Sequence, residues 1–318
     1  MQEKNIIANT YWADNERFAD VMNVGLFQKK VLKAEQLSER DGYLGHVKQR
    51  QKESDLQRNR DVTKKAAFGT NFVILSAENQ DELHYAMPVR IMGYEFMDYN
   101  RQLKELRTLH DKKKDLNGAE FLSGLSAMDR LQPVCTLVIY YGKEPWKGPM
   151  CLADMLDFSD IPEEIRDIVA DYPIHVVDAR RFEDSEKLET EARLFFGMLK
   201  RDEDADSWQK YVNENREGFQ NLSTDTYDAI ATFTKMGQML DTKETYEDEN
   251  GGCNMCKAME DLIARGEARG EARGEARGEN RIMTLIQRMT ADKMLDQIPR
   301  ITTDSEYCEA MLKKYNID

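Results

Sequence analysis

Residues 61–80 read DVTKKAAFGTNFVILSAENQ. Two stretches of this run, Asp61–Ala67 and Asn71–Gln80, have the composition of strands, and Gly69-Thr70 lies between them. A glycine in the first of two turn positions supplies the positive φ that a Gly-first hairpin turn needs. Counting outward from that turn, Phe68 faces Asn71 and Asp61 faces Glu78. A four-residue loop centred on the same point keeps this pairing, whereas a three-residue loop turns Asp61 to the other face. Val73, Leu75 and Ala77 alternate with Phe72, Ile74 and Ser76, so both faces of the second strand are largely apolar. That is the pattern of a central strand covered on both sides.

Outward from the hairpin, residues 14–40 read as helix and turn, with Phe18, Val21, Met22 and Leu26 on one face. Residues 41–59 are polar and read as loop. Pro88 suits the first turn of a helix, where its missing N–H costs nothing. Val89, Met92, Phe96, Tyr99, Leu103 and Leu106 follow at spacings of three and four, which predicts one apolar helical face ending near Thr108. Cys135–Tyr141 and Ile174–Val177 read as further buried strands. The order helix–strand–strand–helix–strand–strand implies an α/β core with a mixed sheet. From Ser185 to about Leu240 the chain turns helical and acidic, and 241–252 reads as a linker. A Gly-Glu-Ala-Arg repeat then starts at Gly266, Gly270 and Gly274. Its glutamates fall at i, i+4 as like charges, and its glycines each cost about 0.8–1 kcal/mol of helix propensity. A helix there calls for a partner, and a harmless repeat with no role is the alternative. Ile282, Leu285, Ile286 and Met289 form an amphipathic stretch, and Asp304 or Ser305 suits the cap of a last helix. These features divide the chain into a core over 12–182, an acidic helical region over 183–240, and a linker and tail over 241–318.

The net charge of −14 hides an asymmetry. Residues 1–150 carry 23 Lys and Arg against 21 Asp and Glu, residues 151–250 carry 11 against 26, and residues 251–318 carry 11 against 12. Nearly all the acidity is in the middle third. The first part holds two basic clusters: Lys48, Arg50, Lys52, Arg58, Arg60, Lys64 and Lys65, then Arg101, Lys104, Arg107, Lys112, Lys113 and Lys114. A phosphate-binding face fits there, as does plain solvated surface. No apolar run approaches the roughly 18 residues of a membrane span, so we read the chain as soluble, not exported and cytoplasmic. The five cysteines are an odd, scattered set that fits a reducing compartment. Cys253-x-x-Cys256 lacks a second ligand pair at zinc-finger spacing.

Across an antiparallel ladder, directly opposed residues have Cβ atoms about 5 Å apart. Asp61 and Glu78 so placed repel one another unless a cation sits between them, and one Mg²⁺ with its oxygen preference suits the gap. A surface acid pair or part of an ion-pair network is the bland alternative.

Several segments add a resemblance. Asn15–Asp20, Arg60–Lys64, Leu75–Gln80, Tyr85–Tyr94, Leu131–Val134 running into the next strand, Pro145-Trp146 and the Gly-Glu-Ala-Arg tail resemble successive motifs of the Rpn, or transposase-like, recombination-promoting nucleases. These are a branch of the PD-(D/E)XK superfamily. The resemblance implies a restriction-endonuclease-like core, with a mixed sheet flanked by helices. It further implies that Asp61, Glu78 and the backbone of Asn79 hold Mg²⁺, that position 80 takes the water-activating role, and that Asp20 is an additional acid. Position 80 is Gln, which orients water but supplies no charge or basic amine. The implied activity is Mg²⁺-dependent hydrolysis of DNA phosphodiesters, linked to recombination or mobile elements. Lys64, Arg90, Arg101, Lys104, Lys112, Lys113 and Lys114 are the candidate DNA contacts, and a second copy joined through the tail is the expected partner. The competing reading is a non-catalytic, oligomeric DNA-binding or regulatory protein that keeps the nuclease fold.

Overall fold

The computed structural model describes residues 2–40, 43–46, 57–59, 61–234, 236–249 and 251–317. Lys48, Arg50, Lys52 and Arg60 of the first basic cluster, and the side chain of Arg58, lie outside the described set. Helices α1 (Gln2–Ala13) and α2 (Asn15–Val21) lead into a π-helical turn over Met22–Phe27. Strands β1 (Leu37–Glu39), β2 (Tyr43–His46), β3 (Gln57–Asn59), β4 (Val62–Phe68) and β5 (Asn71–Gln80) follow. Then come α3 (Met87–Lys113), α4 (Gly118–Ser123), β6 (Val134–Tyr140), α5 (Glu163–Arg166) and β7 (His175–Asp178). Helices α6 (Ala192–Leu199), α7 (Ala205–Glu214), α8 (Arg216–Gln220) and α9 (Thr224–Phe233) follow, flanked by the short pair β8 (Leu222–Ser223) and β9 (Gly252–Cys253). The chain ends with α10 (Met255–Ala291), α11 (Ile298–Ile301) and α12 (Ser305–Lys314). Contacts divide it into two units, 1–256 and 257–318.

The first unit is built on a five-stranded sheet in the order β1-β4-β5-β6-β7. β4 and β5 form the expected hairpin, with Phe68 opposite Asn71 and Val62 opposite Ala77. Gly69 takes φ +61°, as the Gly-first turn requires. β5 pairs in parallel with β6, placing Glu78 beside Val138 and Gln80 beside Tyr140, and β6 pairs in parallel with β7. The sheet is thus mixed, and β5 is its central strand, with Ile74, Leu75 and Ala77 fully buried. One face takes α3, through Met87, Ile91 and Tyr94 against Val138 and Ile174. The other takes the N-terminal helices. There Gly25 approaches so closely that an added Cβ would sit 2.7 Å from a methyl of Val177.

Helix α1 seats Tyr11 and Trp12 without exposure against Phe195 and Phe196 of α6. Four sequence expectations are corrected. Within the stretch 41–59, read as loop, residues 43–46 and 57–59 pair as the antiparallel strands β2 and β3. Residues 37–39 form an edge strand rather than turn. α3 runs on to Lys113, and its buried stripe is Met87, Ile91, Tyr94, Asp98, Gln102 and His110. Val89 and Phe96, expected inside, are 42% and 65% exposed. The inner stripe escaped an apolar count because half of it is polar and satisfied by specific partners. Asp98 pairs with Arg40 at 3.2 Å, and Gln102 exchanges two hydrogen bonds with the backbone of Gln132. His110 has a carboxylate on each ring nitrogen, Asp115 at 2.7 Å and Asp129 at 2.9 Å. The hydrogen bond to Asp115, with help from Asp129, raises its pKa and favours the cationic ring. Finally, 241–252 is no linker. A 3₁₀ stretch over Gly237–Thr245 runs into it and β9 closes it, with Tyr246 buried inside the range and Met239, Cys253 and Met255 buried on either side.

In the second unit, α10 carries the Gly-Glu-Ala-Arg repeat with residues 264–277 exposed, and nothing lies within 4 Å of a Cβ built on Gly266, Gly270, Gly274 or Gly278. Beyond the repeat, Leu285 and Met289 pack with Ile301, Met311 and Leu312, and Ile282 and Ile286 border that cluster. Asp304 caps α12 by accepting the N–H of Tyr307 at 2.9 Å. No described helix is long and apolar enough to cross a membrane.

Candidate functional site

Strand alternation sends Glu78 and Gln80 of β5 to one face and Asn79 to the other. The face of Glu78 is that of Val138 and therefore of α3, whose first turn delivers Arg90. Nη2 of Arg90 lies 2.5 Å from Oε1 of Glu78, which is only 1% exposed. The same guanidinium donates from Nε to the Tyr94 hydroxyl at 2.9 Å and from Nη1 to Oε1 of Gln80 at 3.4 Å. Gln80 directs its own amide N–H to the Glu82 carbonyl at 2.7 Å, which leaves its oxygen toward Arg90.

Asp61 stands just before the first residue of β4, and its carboxylate turns to the edge of β5. Oδ2 accepts the backbone N–H of Asn79 at 2.8 Å, and Oδ1 accepts the Asn5 amide at 3.2 Å. Burial raises its pKa, against the opposing pull of the Asn79 N–H and the positive charge of Arg90. In an antiparallel ladder the N–H and C=O of one residue point the same way. The Asn79 carbonyl therefore projects toward Asp61, the direction its N–H already takes.

On the opposite face, a hydrogen-bond chain holds Asn79 still. Trp12 Nε1 donates to the Tyr141 hydroxyl at 2.6 Å, and that hydroxyl donates to Oδ1 of Asn79 at 2.9 Å. The amide N of Asn79 donates to Oδ1 of Asn9 at 2.9 Å. The strand end is thus pinned from α1 and from the residue after β6. Beside it opens a cleft of about 500 Å³ lined by Lys4, Asn5, Gln80, His84, Arg90 and Phe233, among others. Burial, then the charge of Arg90, lowers the pKa of His84 and favours its neutral ring.

The profile of the family described as "Putative transposase, YhgA-like" matches residues 28–227. The chain belongs to that family. No curated protein and no solved structure matches it. The matched span takes in the whole five-stranded sheet, the helices from α3 to α8 and the start of α9, so Asp61, Glu78, Gln80 and Arg90 all fall inside it. α1, which supplies Asn5, Asn9 and Trp12, lies before the matched span, and the Gly-Glu-Ala-Arg tail lies after it.

The structure of this YhgA-like chain brings together Asp61, Glu78, Asn79, Gln80 and Arg90, and separates two other candidates from them. Asp20 accepts hydrogen bonds from the N–H groups of Glu189 and Thr190 and from the Thr190 hydroxyl at 2.7 Å. It holds the turn before α6, and among the described residues no group of three or more His, Cys, Asp and Glu side chains converges as a metal site. Lys64, expected to meet phosphate, is 1% exposed and donates to the Ala13 carbonyl and to Asn15 Oδ1. Its ammonium ties β4 to the α1–α2 junction and is out of reach of a ligand. Arg101, Lys104 and Lys112–Lys114 lie further along α3, where the lysines are exposed. Sequence reasoning missed Asn5, Asn9, Trp12 and Tyr141 because nothing in their spacing ties them to the hairpin.

The pinning makes a testable demand. Tyr141→Phe removes one hydroxyl and leaves two buried groups, Trp12 Nε1 and Asn79 Oδ1, without that partner. We expect a loss of about 1–3 kcal/mol in urea unfolding, with native secondary structure retained. A change under about 0.5 kcal/mol would show that the chain of hydrogen bonds does not hold the strand end.

Proposed function

We propose that this chain is a divalent-metal-dependent nuclease that hydrolyses DNA phosphodiesters, as its YhgA-like family label and its nuclease-type motifs suggest. The reading rests on one observation above all. Asp61, held on the Asn79 N–H, and Glu78 and Gln80, held on the Arg90 guanidinium, lie where β4 begins and β5 ends, beside an open cleft. The donor set fits Mg²⁺ in kind, since Asp61, Glu78 and the Asn79 carbonyl are all hard oxygen ligands. When bound, the ion would lower the pKa of an attacking water and offset charge gathering on the phosphate.

The side chains divide the remaining work. Gln80, held at Nε2 by Glu82, keeps its amide oxygen available to orient a water proton. Arg90 supplies the positive charge that a lysine at position 80 would otherwise bring to this corner. Asn5 and Asn79 position Asp61. Duplex DNA has a surface to follow along α3. Lys112–Lys114 begin about 22 residues beyond Arg90, roughly 33 Å at 1.5 Å per residue, close to one duplex turn. The acidic middle third carries no such surface, and phosphate contacts belong to the 1–150 part.

For the tail we propose self-association. Four glycines at four-residue spacing leave a bare strip on α10, and the adjacent glutamate and arginine rows are complementary to those of a second copy. Two copies would offer two active sites, one for each strand. A second reading of the whole protein, a non-catalytic DNA-binding member of the family, is favoured by Gln80 and by the guanidinium already seated on Glu78.

Nicking of supercoiled plasmid by the full-length chain in Mg²⁺ separates the two readings. We expect conversion to open circle that is lost in EDTA and reduced at least about a hundredfold by Asp61→Ala, the scale of losing a positioned catalytic group. Binding without any metal-dependent nicking would favour the non-catalytic member. For the tail, light scattering should give a multiple of the 36.9 kDa chain mass for the full-length chain and a smaller species for one ending at Ala264, which keeps β9 and the buried start of α10. Equal association states would remove the tail from assembly.

A further inference from the structure

We propose that Arg90 is the resident counter-charge of the acid pair, and that a divalent cation gains Glu78 only as Arg90 gives it up. This rests on the reading of Asp61 and Glu78 as metal ligands, and the test is chosen to separate the two.

One guanidinium contacts Glu78 and Gln80 and acts by its charge on Asp61. Nη2 pairs with Glu78 at 2.5 Å, and Nη1 meets Gln80 at 3.4 Å. Glu78 lies almost wholly buried on a central strand, so its carboxylate cannot turn to water when a partner leaves. A buried carboxylate needs a compensating charge. The two acids are not equivalent in this respect. Asp61 is held by the neutral side chains of Asn5 and Asn9 and one backbone N–H, groups that yield to a cation without a Coulombic penalty. Glu78 is held by a full positive charge.

Charge balance then decides which arrangement is stable. Two carboxylates with Arg90 leave one formal negative charge. A divalent ion added beside a stationary Arg90 would reverse this to one positive charge in a partly buried corner. The same ion with Arg90 withdrawn leaves none. Like charges about 4 Å apart repel strongly in a partly buried setting, so the neutral arrangement is favoured. Arg90 has somewhere to go. Its side chain is 34% exposed, it lines the cleft, and Tyr94 keeps hold of Nε. Released from Glu78, its two Nη groups face the space a phosphate would take, where a forked cation binds well. The site thereby keeps one formal negative charge without metal, reaches balance with metal bound, and gains a free guanidinium only then.

A plain structural role makes the opposite prediction. If Arg90 only orients Glu78, removing it should weaken metal binding. Calorimetric titration of the full-length chain with Mn²⁺ alone, at pH 8 and fixed ionic strength, reads the sign. We expect Arg90→Gln to bind at least about tenfold more tightly than the native chain, the effect of deleting one nearby like charge. Arg90→Lys, which keeps the charge, should stay near the native affinity, and Asp61→Ala should lose the site. Equal or weaker binding by Arg90→Gln, with Asp61→Ala still abolishing it, overturns the exchange while leaving the metal site intact. Binding indifferent to Asp61→Ala removes the metal site itself, and the exchange with it. Should Arg90→Gln fail to fold, the native chain carries the test. The Arg90 Nη–H resonances, assigned by their absence in Arg90→Lys, should exchange with water markedly faster once Mg²⁺ is added. An unchanged rate overturns the proposal.

Discussion

The register of the β4–β5 hairpin is the constraint on which the site depends. A side-chain period of two means that a slip of one residue would send Glu78 and Gln80 to the N-terminal helices and bring Asn79 to Arg90. Gly69, at φ +61°, sets that register from one end. Asp61, closing on the Asn79 N–H, ties it at the other. Between them β5 serves as an antiparallel partner on one side and a parallel partner on the other, so its end is where the sheet's two halves meet.

What surrounds that strand end is electrostatic rather than apolar. Glu78 is carried into the interior by its neighbours on β5, and Arg90 compensates it from a helix whose own packing is fixed by Met87 and Ile91. Removing one partner of such a pair generally costs about 3–5 kcal/mol, with the lower end apt here because Arg90 is partly exposed. The ion pair therefore links function to stability: any ligand that draws Arg90 away must replace its charge. Asn5 and Lys4 of α1 reach the same corner, Lys4 through Asp81 at 2.8 Å, so the helix before the matched family span closes one wall of the cleft.

Much of this was legible beforehand, for a definable reason. The hairpin, the central strand and the parallel strands are written in local composition: a turn glycine, a two-sided apolar run, and β-branched residues bounded by breakers. Counting carries the register as far as the observed Val62–Ala77 pair, with Asp61 and Glu78 one residue beyond it. Legibility ended where polar residues do the packing. The inner face of α3 holds Asp98, Gln102 and His110, each buried because a distant residue answers it, and an apolar count chose the exposed Val89 and Phe96 instead. Lys64 misled for the same reason. A lysine in a basic cluster looks like a phosphate contact until the Ala13 carbonyl and Asn15 Oδ1 are seen to accept its hydrogen bonds. Asp20 was matched by motif position, and a motif does not reveal that the backbone at 189–190 folds back onto it.

The central claim is that Asp61 and Glu78 form a divalent-metal site at the end of β5. The most direct measurement is anomalous diffraction from crystals of the full-length chain soaked in Mn²⁺. The account predicts a peak about 2.1 Å from a carboxylate oxygen of each acid and near the Asn79 carbonyl, by analogy with Mg²⁺–oxygen distances. No peak there at saturating Mn²⁺, or a peak that touches only one of the two acids, would contradict it.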